Sequence, residues 1–285
     1  MKAARFAGLL REACRNWVAD EAASMGAALA FYTLFSMAPL LLLVISIAGI
    51  AIGADTARGL ISEQLTTLLG QQGADAVERV LVAADDRGKG IFAAIVSAAT
   101  LVIGATTVFA ELRRDLDRIW KTKKPEVRGV LRIIWARLWS FGLVLTIGFL
   151  LMVSLALSAV VTAFGALLAQ YLPGAPIILR SLEFVVSLLV VTGLFAMIYK
   201  ILPSARIEWR DVWVGAAVTS LLFWIGKYLI GLYLARSAVA SPFGAAGTLI
   251  VVIVWVYYSA QIFFLGAEFT RAYAASRHPV PQERT

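Results

Sequence analysis

Long runs of apolar residues without charge constrain this chain more than any other feature. The clearest run extends from Ile91 to Ala110. About 20 apolar residues in a helix span the hydrocarbon core of a bilayer, and only a helix pairs the backbone groups of such a run in lipid. Composition agrees, since 60% of the residues are hydrophobic and 15% are charged, against about 45–50% and about 25% in soluble domains. These features exclude a soluble enzyme and predict an all-α, polytopic membrane protein.

Six such runs predict six transmembrane helices. Their approximate bounds are Ala27–Gly53, Ile91–Ala110, Trp139–Leu168, Ile177–Ile201, Val212–Leu234 and Thr248–Ala267. We therefore expect one six-helix transmembrane domain over residues 27–270. A cytoplasmic amphipathic helix over residues 1–26 precedes it, and a disordered cytoplasmic tail over residues 271–285 follows it.

The distribution of lysine and arginine predicts the orientation. The segments that this topology places inside hold 19 of them, and the outer segments hold six. Because basic residues concentrate in cytoplasmic loops, we expect both termini in the cytoplasm and a basic cytoplasmic loop over residues 111–138. The net charge of +8 is then a topology signal, and we expect no nucleic-acid partner.

Two segments are amphipathic, but their apolar runs are too short to cross the membrane. In residues 3–18, apolar residues recur at helical spacing, which is typical of an interfacial helix on an anionic leaflet; they are Phe6, Leu9, Leu10, Ala13 and Trp17. The periplasmic connection over residues 54–90 has two apolar faces separated by Gly70 and Gly73. We predict two short helices there, packed over the outer face of the bundle.

Residue counts exclude several kinds of catalytic site. The chain has one cysteine, Cys14, and one histidine, His278. A disulfide and a zinc site need more than this, a serine or cysteine triad needs a histidine close to its nucleophile and not in the tail, and no Walker A sequence is present. We expect no enzyme activity, no metal and no cofactor.

One candidate site is an intramembrane ion pair. Glu183 and Lys227 lie at similar depths in the fourth and fifth predicted spans, and ionisable groups at membrane depth are functional candidates by default. The pair is either a clamp between two helices or a charged lining of a substrate route, and Lys227 also has the length to extend to the interface.

A second candidate site is a polar pocket that opens to the inner leaflet. Its members lie near the cytoplasmic ends of the predicted spans and comprise Tyr32, Ser36, Glu111, Arg113, Arg114, Arg210, Gln261 and Glu268. Arginine suits phosphate recognition, so the pocket has the chemistry to hold a lipid headgroup. The alternative is structural, with Glu268 paired to Arg271 one helical turn away and the hydroxyls bonded to backbone.

Three stretches, in this order, resemble the YihY/BrkB family of bacterial inner-membrane proteins. They are the stretch from Ala22 to Leu40, the Tyr199-Lys200-Ile201-Leu202-Pro203 stretch followed by Trp209-Arg210, and Gly244-Ala245-Ala246-Gly247-Thr248 leading to Leu265-Gly266-Ala267-Glu268. The resemblance covers roughly residues 15–275 and implies a six-helix inner-membrane protein with no settled activity. An older ribonuclease label for such proteins does not suit this chain, because its cytoplasmic acids are interleaved with basic residues; they are Glu111, Asp115, Asp117 and Glu126.

Two functional hypotheses remain. One is a protein that transports or flips a lipid or another amphiphile, which the apolar spans and the arginine-rich inner rim favour. The other is a membrane scaffold that binds lipids or partner proteins, which the weak polar lining favours. An ion channel would need a charged ring or a carbonyl filter. Membrane lipids are the expected partners in both cases, and a second copy or another protein stays open.

Overall fold

The computed structural model describes residues 3–85, 107–122, 175–236 and 247–277. Every regular element in these ranges is helical, which confirms the all-α class for the described part. The helices are α1 (Ala3–Ala19), α2 (Ala22–Ile52), α3 (Ala54–Asp85), α4 (residues 107–119), α5 (Ala175–Ile201), α6 (Trp209–Arg236) and α7 (Gly247–Arg277).

Three of the described helices are long and apolar enough to cross a membrane. The stretches are Phe184–Ile201 of α5, Trp209–Tyr233 of α6 and Ile250–Arg277 of α7, and they coincide with the last three predicted spans. The first predicted span lies in α2, whose described apolar stretch is Ala22–Leu34. The second and third predicted spans lie almost wholly outside the described residues, so the total of six stays a prediction.

Close helix contacts at glycine hold α6 against α7. A Cβ atom added to Gly215 would overlap the hydroxyl of Thr270, and one added to Gly266 would overlap that of Thr219. Both threonine hydroxyls donate hydrogen bonds to glycine carbonyls within their own helices, Thr270 to Gly266 at 2.7 Å and Thr219 to Gly215 at 2.8 Å. Small residues at such points let helix backbones approach closely in membranes.

Tyr199 joins α5 to this contact. It is fully buried, and its hydroxyl donates to the Phe263 carbonyl of α7 at 2.7 Å and lies 3.1 Å from the Thr219 hydroxyl of α6. A buried tyrosine needs such a partner for its hydroxyl. The three helices therefore form one packed unit.

The amphipathic helix α1 packs on protein. Its buried residues Leu9 and Ala13 form an apolar cluster with Phe269 and Ala272 of α7, and the Phe6 and Phe269 rings have centroids 5.5 Å apart. The helix was expected, but its apolar stripe contacts α7 instead of lipid.

The expectation of a disordered tail from residue 271 is wrong for the residues the structure describes. Helix α7 continues to Arg277, because Ala272 is buried under α1 and Arg277 binds Asp211 of α6. Residues 278–285 lie outside the described ranges.

Helix α3 folds back on itself. Arg58 Nε and Glu78 Oε1 are 3.2 Å apart, although about 30 Å would separate these positions along a straight helix. The chain therefore reverses between them, in the stretch that includes Gly70 and Gly73, which agrees with the prediction of two short helices. Val77 and Leu81 of the returning arm pack against Val252 of α7. We call this element the α3 hairpin.

Candidate functional site

Charged side chains gather at one end of the bundle, which we call the basic end. It comprises α1, the end of α4, the α5–α6 connection at residues 202–208 and the last turns of α7. The sequence concentrates charge here because these segments flank the apolar stretches of α5, α6 and α7.

Arg271 is the centre of the basic end. Its Nη1 donates to the Ile119 carbonyl at the end of α4 at 2.7 Å, and lies 3.3 Å from Asp20 Oδ2 at the α1–α2 corner and 3.3 Å from Glu268 Oε2. One guanidinium therefore joins α7 to two other parts of the chain. We call this arrangement the Arg271 junction.

Glu268 is the most deeply buried acid of the junction. Its side chain is fully buried, and its Oε1 has no hydrogen-bond partner among the residues that the structure describes. The pairing with Arg271 confirms the structural alternative raised from sequence for this residue. Glu268 Oε1 is therefore a buried acceptor inside the bundle that has no partner among the described residues.

Two further ion pairs surround the junction. Arg277 Nη1 lies 2.5 Å from Asp211 Oδ1, and Asp211 is 1% exposed. Arg118 Nη2 lies 2.9 Å from Glu21 Oε2, in an exposed pair. Sequence reasoning missed Asp20, Asp211 and Arg277. The sequence did contain a signal for Asp211, because it lies in the first turn of α6, where the helix dipole favours an acidic side chain.

Two of the three predicted rim arginines are bound to neighbouring polar groups. Arg113 donates to Ser204 Oγ at 3.2 Å, and Arg114 Nη2 lies 2.5 Å from Glu111 Oε2. Asp117, which sequence reasoning did not select, accepts the Ser204 backbone N–H at 2.6 Å and its hydroxyl at 3.0 Å.

The contacts of Arg113 and Asp117 with Ser204 tie α4 to the connection that leads into α6. The Arg113 and Arg114 side chains nevertheless stay accessible, at 43% and 68%. Arg210 is exposed in the first turn of α6.

Asp115 is a buried acid on α4 that the sequence did not single out as a site. Its Oδ2 has no hydrogen-bond partner within the described ranges. The pKa of this carboxyl is raised to about 7, mainly by burial and also by the nearby Glu111, while Arg114 and Arg118 act in the opposite direction. A carboxyl with this pKa changes charge near neutral pH.

Gln261 lies in the seam between α2 and α7. Its amide rests on Gly26, where an added Cβ would overlap Gln261 Nε2. Both amide atoms are buried and have no hydrogen-bond partner in the described part of the chain. Gln261 and Glu268 are seven positions apart on α7, so they lie on the same helix face, about 10 Å apart along the axis.

The other predicted pocket members are not joined to these two. Ser36 is buried and donates to the Thr33 carbonyl of its own helix at 3.2 Å, and the Tyr32 ring packs edge-on against Phe31. Neither of them shows a hydrogen bond to Gln261 or Glu268 among the described residues. The predicted pocket therefore divides into three parts. They are the α2–α7 seam at Gln261, the Arg271 junction at Glu268, and the arginines Arg113, Arg114 and Arg210, which we call the arginine rim.

The predicted pair of Glu183 and Lys227 stays a prediction. Glu183 lies in α5, but its side chain is outside the described residues, and Lys227 is half-buried on α6. Over the described ranges, no group of three or more acids or cysteines could hold a metal ion; His278 lies outside these ranges.

Comparison with known proteins gives one family. The family model described as virulence factor BrkB matches residues 13–285. A UPF0761 membrane protein of Pseudomonas aeruginosa is 27% identical over 92% of this chain and 62% of its own length. The counterpart in Alteromonas mediterranea is 26% identical over 85% of this chain and 79% of its own length.

A UPF0761 membrane protein of Verminephrobacter eiseniae is 30% identical over 60% of this chain. The matches cover 39% of that relative and 62% of the Pseudomonas one, so the chain spans about half the length of these curated relatives. No solved structure matches.

Proposed function

This chain belongs to the virulence factor BrkB family of integral membrane proteins, and on that premise we propose that it binds and moves a phosphate-bearing amphiphile at the cytoplasmic leaflet. The family membership rests on a match to residues 13–285. The activity rests on the chemistry of the α2–α7 seam and of the arginine rim.

The buried amide of Gln261 carries the proposal. A buried donor or acceptor without a partner costs about 1–3 kcal/mol, and Gln261 leaves both kinds unpartnered among the described residues. A headgroup with hydroxyl or ammonium donors and phosphate acceptors would satisfy both. Glu268 Oε1, on the same face of α7, offers a second acceptor.

The arginine rim supplies the complementary charge. Arg113, Arg114 and Arg210 keep exposed surface at the basic end, and guanidinium groups bind phosphate in bidentate fashion. An amphiphile held this way keeps its acyl chains in lipid while its headgroup reaches the seam. No water-filled channel is required.

Lipid scrambling in proteoliposomes tests the proposal. Gln261→Leu replaces the amide by an apolar group of similar volume, so we expect it to keep or raise the melting temperature while it abolishes scrambling. Gln71→Leu, at an exposed glutamine of the α3 hairpin, is the matched control and should scramble like the wild type. Scrambling by Gln261→Leu at the wild-type rate would refute the role of the seam.

A membrane scaffold is the second candidate. The observation in its favour is that Arg113 and Arg114 already have protein partners, Ser204 and Glu111, which reduces their availability for phosphate. A wild-type protein that binds lipid but leaves the scrambling rate at that of protein-free liposomes would favour this reading.

The proposal places the basic end in the cytoplasm of a bacterial inner membrane. The excess of lysine and arginine at that end supports this orientation. A reporter that is active only in the periplasm should work when fused near Gly73 in the α3 hairpin and fail when fused after Thr285. The reverse result would invert the orientation.

A further inference from the structure

Helix α1 has an apolar face and a basic face, and only the apolar face is covered. Leu9 and Ala13 are buried against α7, so this stripe is not available to insert into a bilayer. Arg11, Cys14 and Arg15 lie exposed on the opposite side. The uncovered side of α1 therefore presents Arg11 and Arg15, together with one large apolar side chain, Val18, which is 68% exposed.

The exposed charge of α1 is positive. The helix contains three arginines and one glutamate, Glu12. Arg5 is hydrogen-bonded to Ser276 at 3.2 Å, whereas Arg11 and Arg15 have no ion pair among the residues that the structure describes. Because they are four positions apart, they lie on one side of the helix.

The exposed side chains of α6 indicate where the bilayer surface lies relative to α1. Val214 and Val218 of α6 pack against the α1 cluster, and the adjacent Trp213 is exposed. Farther along α6, large apolar side chains are exposed, including those of Trp224 and Leu229. Since tryptophan concentrates at membrane interfaces, α1 lies where the lipid-facing surface of α6 begins.

We propose that Arg11 and Arg15 of α1 bind the phosphate groups of anionic phospholipids by surface electrostatics, without insertion of the helix. The inference rests on the proposed orientation, which points the basic end toward the anionic leaflet. Basic residues beside such a leaflet are attracted to it within about a Debye length. Because no apolar area is buried in the lipid, binding follows lipid charge and falls with salt.

The chain provides its own probe for this surface. Cys14 is the only cysteine in the sequence and is exposed between the two arginines. A polarity-sensitive fluorophore attached to it, on the full chain in neutral detergent, should respond to micelles of phosphatidylglycerol before it responds to phosphatidylcholine. Each arginine near an anionic surface is worth about fivefold in affinity, so Arg11→Gln/Arg15→Gln should weaken the phosphatidylglycerol response about thirtyfold.

Three controls separate charge from misfolding. Arg11→Lys/Arg15→Lys keeps the charge and should retain the response. Arg58→Gln makes the same substitution in the α3 hairpin and should leave the response unchanged. In the unaltered sequence, about 1 M salt should abolish the preference, because the Debye length is then about 3 Å.

Three results would overturn the inference. They are equal titrations with the two lipids, an unweakened response in Arg11→Gln/Arg15→Gln, and a response to single-stranded RNA at lower concentration than to phosphatidylglycerol, which would make this a nucleic-acid surface. The proposed function is tested separately. If the protein does not scramble lipid but retains the arginine-dependent response, the proposed activity is refuted and the lipid-binding surface on α1 is retained.

Discussion

The basic end and the α3 hairpin both contain ion pairs between distant positions, but the pairs differ in burial. In the Arg271 junction, Asp20 and Arg271 are 18% and 19% exposed, and Glu268, which also pairs with Arg271, is fully buried. In the hairpin, Arg58 and Glu78 are 34% and 36% exposed. Buried pairs are costly to break because a charge is left behind, whereas exposed pairs contribute about 0–1 kcal/mol. The same interaction therefore fixes helices at one end and marks only a chain reversal at the other.

This contrast changes how charges at the edge of a membrane protein should be interpreted. From the sequence, Arg113 and Arg114 are interpreted as free phosphate ligands, yet in the structure each contacts a polar group of the protein. Arg113 binds the α5–α6 connection and Arg114 binds an acid of its own helix, so only the exposed part of each side chain remains for lipid. Arg11 and Arg15 are exposed and have no ion pair among the described residues. Binding to lipid phosphate is therefore expected of them more directly than of Arg113 and Arg114.

The largest effect is expected where the basic end joins the close helix contacts. Gly215→Ala would place a Cβ within 2.8 Å of three Thr270 side-chain atoms, in overlap with the hydroxyl, so α6 and α7 would have to move apart and lose their contact. We expect poor yield and a strongly lowered melting temperature in detergent. Gly231→Ala is the matched control on α6, because nothing lies within 4 Å of its added Cβ, and it should be neutral or stabilising. Equal behaviour of the two variants would contradict the tight α6–α7 contact.

Removal of the junction arginine comes next. Arg271→Met leaves Glu268 buried without its cation and frees Asp20 and the Ile119 carbonyl, so we expect a loss of about 3–5 kcal/mol in unfolding free energy. Arg118→Met breaks the exposed pair with Glu21 and should cost less than about 1 kcal/mol. Chemical denaturation in detergent measures both. Similar losses would mean that burial does not distinguish the two pairs.

The all-α class and three spans followed from the sequence, because uninterrupted apolar length is a local property. The partners of individual charges did not, because they depend on tertiary contacts. Arg271 and Asp20 are 251 positions apart, and no spacing rule connects them. Glu268 with Arg271 was the exception, since a separation of three residues on one helix brings side chains together.

The apolar stripe of α1 shows a second limit. A pattern of Phe6, Leu9, Leu10 and Ala13 specifies a face to be buried but not what buries it. Lipid and the side of α7 are equally apolar partners by sequence. The structure selects α7, and the same contact explains why residues 271–277 are helical where a disordered tail was expected.

Asp115 gives a pH test of the basic end. The pKa of this carboxyl is raised to about 7 from an ordinary 3.8, so the folded state holds its proton more tightly than the unfolded state. Stability should therefore fall as pH rises from about 4 to about 7, with a full penalty of about 2–4 kcal/mol above that range.

Asp115→Asn removes the titrating group, so we expect a higher melting temperature than the wild type at pH 8 and little difference at pH 4. Asp117→Asn is a contrasting control, because that carboxylate accepts hydrogen bonds from Ser204, and it should lower stability at pH 8. A pH-independent effect of Asp115→Asn would show that burial does not shift this group.

The smallest energetic effect belongs to the hairpin, although it decides a geometric question. Arg58→Gln should change the unfolding free energy by less than about 1 kcal/mol, because the pair with Glu78 is partly exposed. Distance separates the two geometries better. Spin labels at positions 58 and 78, in a Cys14→Ser background, should lie close together in the hairpin and about 30 Å apart in a straight helix. Labels at positions 58 and 62, one turn apart, calibrate the short distance. A long distance between 58 and 78 would remove the chain reversal, and with it the α3 hairpin as the element that contrasts with the basic end.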